Sequence, residues 1–565
     1  HMAVSRLLPG KGQVATTRYQ YNVDKELVRV TRPDGQEVGL EYDAGGRLSR
    51  TVIPRGVSHY TYDGAGRVQG VTAPDGGTLT YSYDGSLPRS VTWGGIINGT
   101  VAFTYDHEFR IIGETVNGGH AISLGYDLDG LLTSVGDLVI TRDAGNGLLT
   151  GTTLGSITTR RTIDPFGATA SFTAMHGATE LLQTLYVRDA LDRITQKIET
   201  VAGQRKVFDY RYDPAGRLVE VKQDGRIRAS YAYDANGNRL SRVEGDTTEI
   251  GVYDEQDRLI AYGDAVYTHT ANGELLAKSD SGGTTQYDYD VLGNLAGVTL
   301  PDGTRIEYLI DGANRRVGKR VNGGLVSGYL YANGVNPVAE LDGSGNVVTR
   351  FVYGTRGNVP DYLVKGGQNY RIVSDHLGSP RLVVQMDTGE VVQRLDYDEY
   401  GRILEDTHPG FQPFGFAGGL YDPETGLIRF GARDYDPVTG RWTAKDPIRF
   451  LGGDTNLFGY VLGDPVNLTD PDGQNPVKHL LDIVKHSRNA YEKGKAIWKD
   501  LDFDGPSPGL EYGNGRVCQV RYKKHPVFRL DYQPIPGSGN ESRLHVHTVP
   551  NINQHRSIDP RSLND

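Results

Sequence analysis

Two groups of residues in this chain carry side chains suited to chemistry. Arg433, Asp446, Asp470 and Asp472 bring a guanidinium and three carboxyls into the stretch that ends near position 474. Farther on, six of the 14 histidines (His479, His486, His525, His545, His547 and His555) fall within the last 91 residues. His545 and His547 alternate with Leu544 and Val546, so in a strand they share a face with Arg543. Imidazoles titrate near neutral pH, and one can be neutral while its neighbour is charged. Such a pair suits the general base and acid of RNA cleavage at a 2′-hydroxyl, with Arg543 stabilising charge that builds on phosphorus. His555 and Arg529 are second-choice members of the same set. His545, His547 and His555 are also enough imidazoles for an open zinc site. A nuclease without cofactor is therefore the first reading, and one using zinc or another divalent metal the second. The plain alternative is a set of surface histidines on an edge strand. For the earlier group, Asp446-Pro447, Asp470-Pro471 and Asp472-Gly473 are turn dipeptides, and Arg433 can pair with any of them. Spacing alone favours that structural role.

The elements that must position these groups follow from an internal repeat. Tyr-Asp pairs stand at Tyr42-Asp43, Tyr62-Asp63, Tyr83-Asp84, Tyr105-Asp106 and Tyr126-Asp127, spaced 20, 21, 22 and 21 residues. The phase weakens between about 140 and 205 and returns at Tyr212-Asp213, Tyr233-Asp234 and Tyr253-Asp254. Fuller copies read YDAGGRL from Tyr42, YDGAGRV from Tyr62 and YDPAGRL from Tyr212, with Pro-Asp-Gly turns at Pro33, Pro74 and Pro301 between them. Each unit reads as strand, tight turn, strand, turn, with Asp capping the turn and Tyr packing on the sheet. A two-stranded unit cannot bury its own apolar face, so the units must join edge to edge into one long sheet.

Composition agrees. Of 565 residues 75 are glycine, and tyrosine (34) far outnumbers phenylalanine (14), the usage of many short strands joined by tight turns. Collagen is excluded by the lack of a three-residue glycine period, and disorder by 37% hydrophobic residues. No apolar run approaches the 18 or more residues of a membrane span, and no signal peptide is evident. His1-Met2 reads as a cloning remnant, so the natural start is expected elsewhere. The single Cys518 excludes an intramolecular disulfide framework and reads as an ordinary core residue.

The repeats, together with Asp375-His376-Leu377-Gly378-Ser379-Pro380-Arg381, the block FGARDYDPVTGRWTAKDP from Phe430 and NLFGYVLGDPVNLTDPDG from Asn456, resemble the Rhs or YD-repeat family over roughly residues 15 to 474. The resemblance implies a mainly β fold: a hollow β-cocoon plugged at one end by the closing block, then a variable toxin after DPxG. It divides the chain into a β-shell (1–369), a closing block (370–474) and a C-terminal toxin domain (475–565). It also implies a self-cleaving aspartyl protease, with Arg433, Asp446, Asp470 and neighbouring Asp472 at the positions of the family's catalytic residues. Two carboxylates brought close cannot both ionise easily, so one keeps a proton while the other activates water, and a guanidinium fixes their orientation. Family members usually carry an apolar residue directly after DPxG. This chain has Gln474, and the cut is expected between Gln474 and Asn475, with Gly473 the alternative.

After 474 the charge changes sign. The final 91 residues hold 14 Lys and Arg against 10 Asp and Glu, a net +4 that leaves −14 on residues 1–474 of a chain at −10 overall. A basic, His-rich segment behind an acidic shell points to a nucleic-acid target. Helical periodicity over Val477–Leu501, a Gly/Pro linker at 505–509 and alternating runs at Arg516–Tyr522, Val527–Tyr532 and Arg543–Val549 predict a small α+β domain. Arg521, Lys523 and Lys524 read as phosphate contacts or a solvated face.

The leading functional expectation is a polymorphic toxin of the type VI secretion class, made in the bacterial cytoplasm, secreted and delivered into target cells. Its expected partners are its own cleaved toxin held in the shell, a cognate immunity protein, secretion spike and chaperone proteins, and nucleic acid. Two alternatives stand beside it. One is the C component of an ABC insecticidal toxin carrying a host-protein-modifying enzyme. The other is a non-enzymatic cell-surface YD-repeat protein.

Overall fold

The structure, a computed structural model, describes residues 15–474, with side chains from 16 onward, and beyond them the backbone of a few strands near each end. Thirty-nine strands, from Met2–Arg6 to Ile403–Asp406, form one antiparallel sheet. Each strand pairs with the strands before and after it in sequence, an uninterrupted meander. The fold is thus nearly all β, as the repeat predicts.

The repeat has a clear local physics. In the copy that begins at Tyr42, Asp43 Oδ1 accepts from the amides of Gly45 and Arg47, at 2.8 and 3.0 Å, and closes a five-residue turn. Its Oδ2 takes Arg47 Nε at 2.8 Å. The Arg47 guanidinium lies 4.6 Å from the ring centre of the next repeat's Tyr62. The Tyr62 hydroxyl in turn donates to the carbonyl of Leu48, the residue after that arginine, at 2.7 Å. The same chain of contacts recurs at Asp63, Arg67, Tyr83 and Val68 and at Asp213, Arg217, Tyr233 and Leu218. Each exposed Asp–Arg pair contributes little alone, about 0–1 kcal/mol. Linked through tyrosine they staple each hairpin to the next. The residue three after Asp is left-handed, which is why glycine fills it at Gly46 (φ 73°) and Gly66 (φ 80°).

Where the Tyr-Asp phase weakens, the turns persist. Asp164 and Asp189 close the same five-residue turn, and Asp143 one a residue longer, with Ile163, Arg188 and Arg142 in the tyrosine position. The aspartate, which builds the turn, is retained while the tyrosine, which only braces it, is exchanged.

The meander coils back on itself. Arg32 meets Glu274 at 2.7 Å, 242 positions on. Trp93 Nε1 donates to Asp311 at 3.1 Å across 218 positions, and Arg371 to Thr152 at 3.1 Å across 219. Arg350 pairs with Glu114. Alternating side chains from both windings then share cores, such as Leu79, Trp93, Val101 and Val116 with Leu309, Leu330 and Leu341.

The closing block follows the last strand of the sheet. Leu420–Tyr421, Ile428–Phe430, Arg433–Asp436 and Arg441–Trp442 form a small antiparallel sheet. Its core is Phe416, Ile428, Phe430, Tyr435, Trp442 and Tyr460. The Asp375–Arg381 segment anchors it. Asp375 builds another repeat-type turn, Leu377 enters the block's core, and Ser379 Oγ accepts the Ala417 amide at 3.0 Å. His376 Nε2 lies 2.7 Å from the Val466 carbonyl, and Arg381 pairs with Glu199 and Asp396.

Toward the C-terminus the strands Leu501–Asp504, Gly515–Tyr522, His525–Pro534, Ser542–Thr548 and Arg556–Ser557 form a five-stranded antiparallel sheet. These include the three predicted runs. The predicted helix is corrected at its ends: Val477–Lys478 pairs as a strand with Leu468–Thr469, and Leu501 opens a strand. Its centre, 479–500, lies outside the described residues. No helix among the described residues is long and apolar enough to cross a membrane.

Candidate active site in the closing block

Arg433 begins the third strand of the small sheet, and its guanidinium lies 4.1 Å from the ring centre of Trp442 on the fourth. The stacked, buried guanidinium has one plane in which to meet partners. Nη2 contacts Asp446 Oδ2 at 2.9 Å and Asp470 Oδ2 at 3.1 Å. Nε donates to the Gly473 carbonyl and Nη1 to that of Leu457. Arg433, Asp446 and Asp470 are 4%, 8% and 1% exposed, so the cluster works away from bulk water.

The tail that carries Asp470 and Asp472 is held by its backbone. The Ala432 amide donates to the Asp472 carbonyl at 2.9 Å. The Gln474 amide donates to both Asp470 Oδ1, at 2.9 Å, and Asp472 Oδ1, at 3.0 Å. Gly431 (φ 41°) and Gly473 (φ 69°) make this approach possible, since a methyl on either would collide with the other segment's backbone. Asp446 is fixed from its own turn, its Oδ1 accepting the Ile448 amide at 2.9 Å.

Gly452 completes the site. A side chain there would begin 2.8 Å from the Gln474 carbonyl oxygen and 2.9 Å from Asp446 Oδ2. The carbonyl of residue 474 and the carboxylate of Asp446 therefore border the same small space, which only glycine leaves open.

The electrostatics divide the carboxyls. Burial pushes Asp470 up to about 7, against the pull of Arg433 and reinforced by its hydrogen bond with Asp472. Burial also raises Asp446, with Arg433 again opposing. Both carboxyls are thus pushed toward holding a proton, Asp470 into the neutral range. Such a pair can give and take a proton around a peptide carbonyl.

All four predicted core residues, Arg433, Asp446, Asp470 and Asp472, are brought together, with Gln474 against them. Spacing did not point to Trp442, Gly452 or the Leu457 carbonyl. The only sequence signal for the first two is their place in GRWTAKDP and in the turn after it. For the predicted toxin group, the backbone register sets Arg529 opposite His547 and Asp531 opposite His545, with Arg543 opposite Gln533. His555, Asn475 and the side chains of residues 475–565 lie outside the described residues, so the geometry of the nuclease and zinc readings does too.

Residues 7–451 match the Teneurin YD-shell family, a span that contains Arg433 and Asp446 and stops before Asp470. Teneurin-1 of Mus musculus is 31% identical over 287 residues, covering 50% of this chain and 10% of its own length. Teneurin-3 of Danio rerio is 28% identical over 489 residues, covering 80% of this chain and 18% of its own. The chain thus spans a tenth to a fifth of the length of these relatives. Among solved structures, the crystal structure of TcdB2-TccC3 has a TM-score of 0.55 at 16% identity, covering 83% of this chain and 31% of that one. At this identity the likeness is one of fold. With the meander, the Asp–Arg–Tyr staples and the family match over most of its length, this chain belongs to the Teneurin YD-shell family, as an Rhs/YD-repeat shell whose fold is shared with TcdB2-TccC3.

Proposed function

We propose that this shell cuts its own chain between Gln474 and Asn475 and so frees a C-terminal cytotoxic segment. The observation that carries the reading is the convergence of the Gln474 carbonyl and the Asp446 carboxylate on Gly452, beside a second carboxyl that holds a proton near neutral pH. In the reaction, Asp446 takes a proton from water as the water oxygen bonds to the Gln474 carbonyl carbon. The carbon–nitrogen bond to Asn475 then breaks, and the leaving nitrogen takes the proton held by Asp470. Arg433 keeps Asp446 oriented and, through Nε, anchors the Gly473 carbonyl next to the reacting bond. Trp442 and Leu457 hold Arg433 in turn. The products are a Gln474 carboxylate and an Asn475 amine. The test is the length of the purified chain: wild type should be in two pieces and Asp446→Asn in one. A wild-type chain that stays whole overturns the reading.

The freed segment we read as a nuclease, most simply a ribonuclease, on the strength of its +4 charge and its six histidines behind a −14 shell. The whole is then a toxin of the polymorphic, type VI-delivered kind, secreted, with an immunity protein for its own producer. Cleaved protein incubated with labelled RNA and DNA, with and without chelator, tests this. His545→Ala or His547→Ala should slow RNA cleavage by about 10² or more, the size of an acid–base contribution. Loss in chelator, restored by zinc, moves the reading to a metal site at His545, His547 and His555. A second reading, the C component of an insecticidal toxin with a protein-modifying cargo, is favoured by the fold likeness to TcdB2-TccC3.

A further inference from the structure

Most buried arginines of this shell meet a carboxylate, as Arg381 does at Glu199 and Arg316 at Asp434. Two do not. Arg239 and Arg441 are 5% and 6% exposed, and among the described residues neither has an acidic side chain within ion-pair distance. Arg441 donates to the Asn238 side-chain oxygen at 3.1 Å and to the Asp257 backbone carbonyl. Arg239 donates to the Val438 carbonyl and stacks on Tyr400 at 4.7 Å, while its buried Nε has no partner. Both arginines line one cavity of about 240 Å³ between the repeat turns at 213–217 and 234–238 and the closing block.

The rest of the lining has the same sign. Arg217 contributes a third guanidinium, held by Asp213 at 2.7 Å. Asp454 is the sole carboxylate-bearing residue of the lining, and burial raises its pKa, favouring the uncharged form. The Asp257 carboxylate, nearby, is turned to the amides of Asn236 and Asn238. Two buried cations that meet rings and carbonyls but pair with no carboxylate are costly unless an anion joins them. The cavity is far larger than one water requires, and arginine is the side chain best shaped to meet oxyanions.

We propose that this cavity is an anion site for a phosphate group, held by Arg239 and Arg441 with Arg217 as a further cation, joining the closing block to the first winding of the shell. The phosphate would be free orthophosphate or part of a small phosphorylated molecule.

Calorimetric titration of the purified full chain with orthophosphate and with pyrophosphate, in chloride buffer matched for ionic strength, tests it. Saturable binding of at least one probe is expected, and tighter binding of pyrophosphate than of orthophosphate points to the phosphorylated source. Arg441→Gln should weaken it at least tenfold. Arg217→Gln, at a partly exposed turn of the lining, should weaken it several-fold and guards against a folding failure in the other arginine variant. Arg47→Gln, in an exposed repeat turn, should bind as wild type. No heat of binding for either probe, or wild-type affinity in both Arg441→Gln and Arg217→Gln, overturns the proposal.

Discussion

Replacing Asp470 by asparagine should move self-cleavage and stability in opposite directions. Asp470 is raised from 3.8 to about 7, chiefly by burial. If its protonated form is the acid of the reaction, the rate above neutrality follows the protonated fraction: about one half at pH 7, a tenth at pH 8 and a hundredth at pH 9. A carboxamide in its place cannot supply that proton, and the cut should slow by about 10²–10⁴, the range of general acid–base contributions. Stability runs the other way. A carboxyl whose folded pKa lies above its unfolded value stabilises the fold fully below about pH 4 and loses that contribution as pH rises through about 7. The rise from 3.8 to about 7 corresponds to at most about 4 kcal/mol at pH 8. Asparagine does not ionise, so the variant should be more stable than wild type at pH 8, by less than this bound because Arg433 loses one of its two carboxylate partners. Cell-free synthesis at fixed pH, quenched in denaturant, measures the cut: the piece to follow holds 91 of the 565 residues of a 61.8 kDa chain, about 10 kDa. Denaturant unfolding at pH 5 and 8 measures stability. A cleavage rate that is flat from pH 7 to 9, or an Asp470→Asn chain cut at the wild-type rate, refutes the assignment. A variant both uncut and less stable at pH 8 shows that Asp470 acts through the fold.

Three further outcomes are expected. Glu199→Gln leaves the buried Arg381 with Asp396 alone and should cost about 1–3 kcal/mol in denaturant unfolding, the size of a lost charged hydrogen bond. Gly473→Ala, at φ 69° and against the Phe430 carbonyl, should leave the chain uncut while the shell still unfolds in a cooperative transition; normal processing would contradict the tail geometry. His376, lowered to about 4 by burial, should show no imidazole protonation by NMR down to about pH 5. Because its folded pKa lies below the usual 6.5, its contribution to stability is full above that value and is lost as pH falls toward 4.

The repeat was legible in the sequence because its physics is local. Asp43 and Arg47 sit four positions apart and need only a tight turn to meet, so the copies that keep Tyr-Asp and Arg announce themselves in a short window. The turns at Asp143, Asp164 and Asp189 escaped because the tyrosine that marks the motif braces the turn without building it. The carboxylates of the closing block could be named from their motifs, yet the roles of Trp442, Gly452 and the Leu457 carbonyl had no sequence counterpart. They act through a plane of stacking and a space left empty, and neither is a residue pattern. The same holds for the pairing of windings: Arg32 and Glu274 stand 242 positions apart, and which glutamate an arginine reaches depends on how far the sheet has twisted by then. The sequence by itself therefore determined the strand, the turn and the one-dimensional order of the meander, since these are settled among neighbours. Tertiary structure alone decided which carboxyls are dry enough to hold a proton, which arginines are left without one, and that the carbonyl of Gln474 comes to rest beside Asp446. Burial and approach are set by the summed twist of the whole sheet, a quantity that no short stretch of sequence contains.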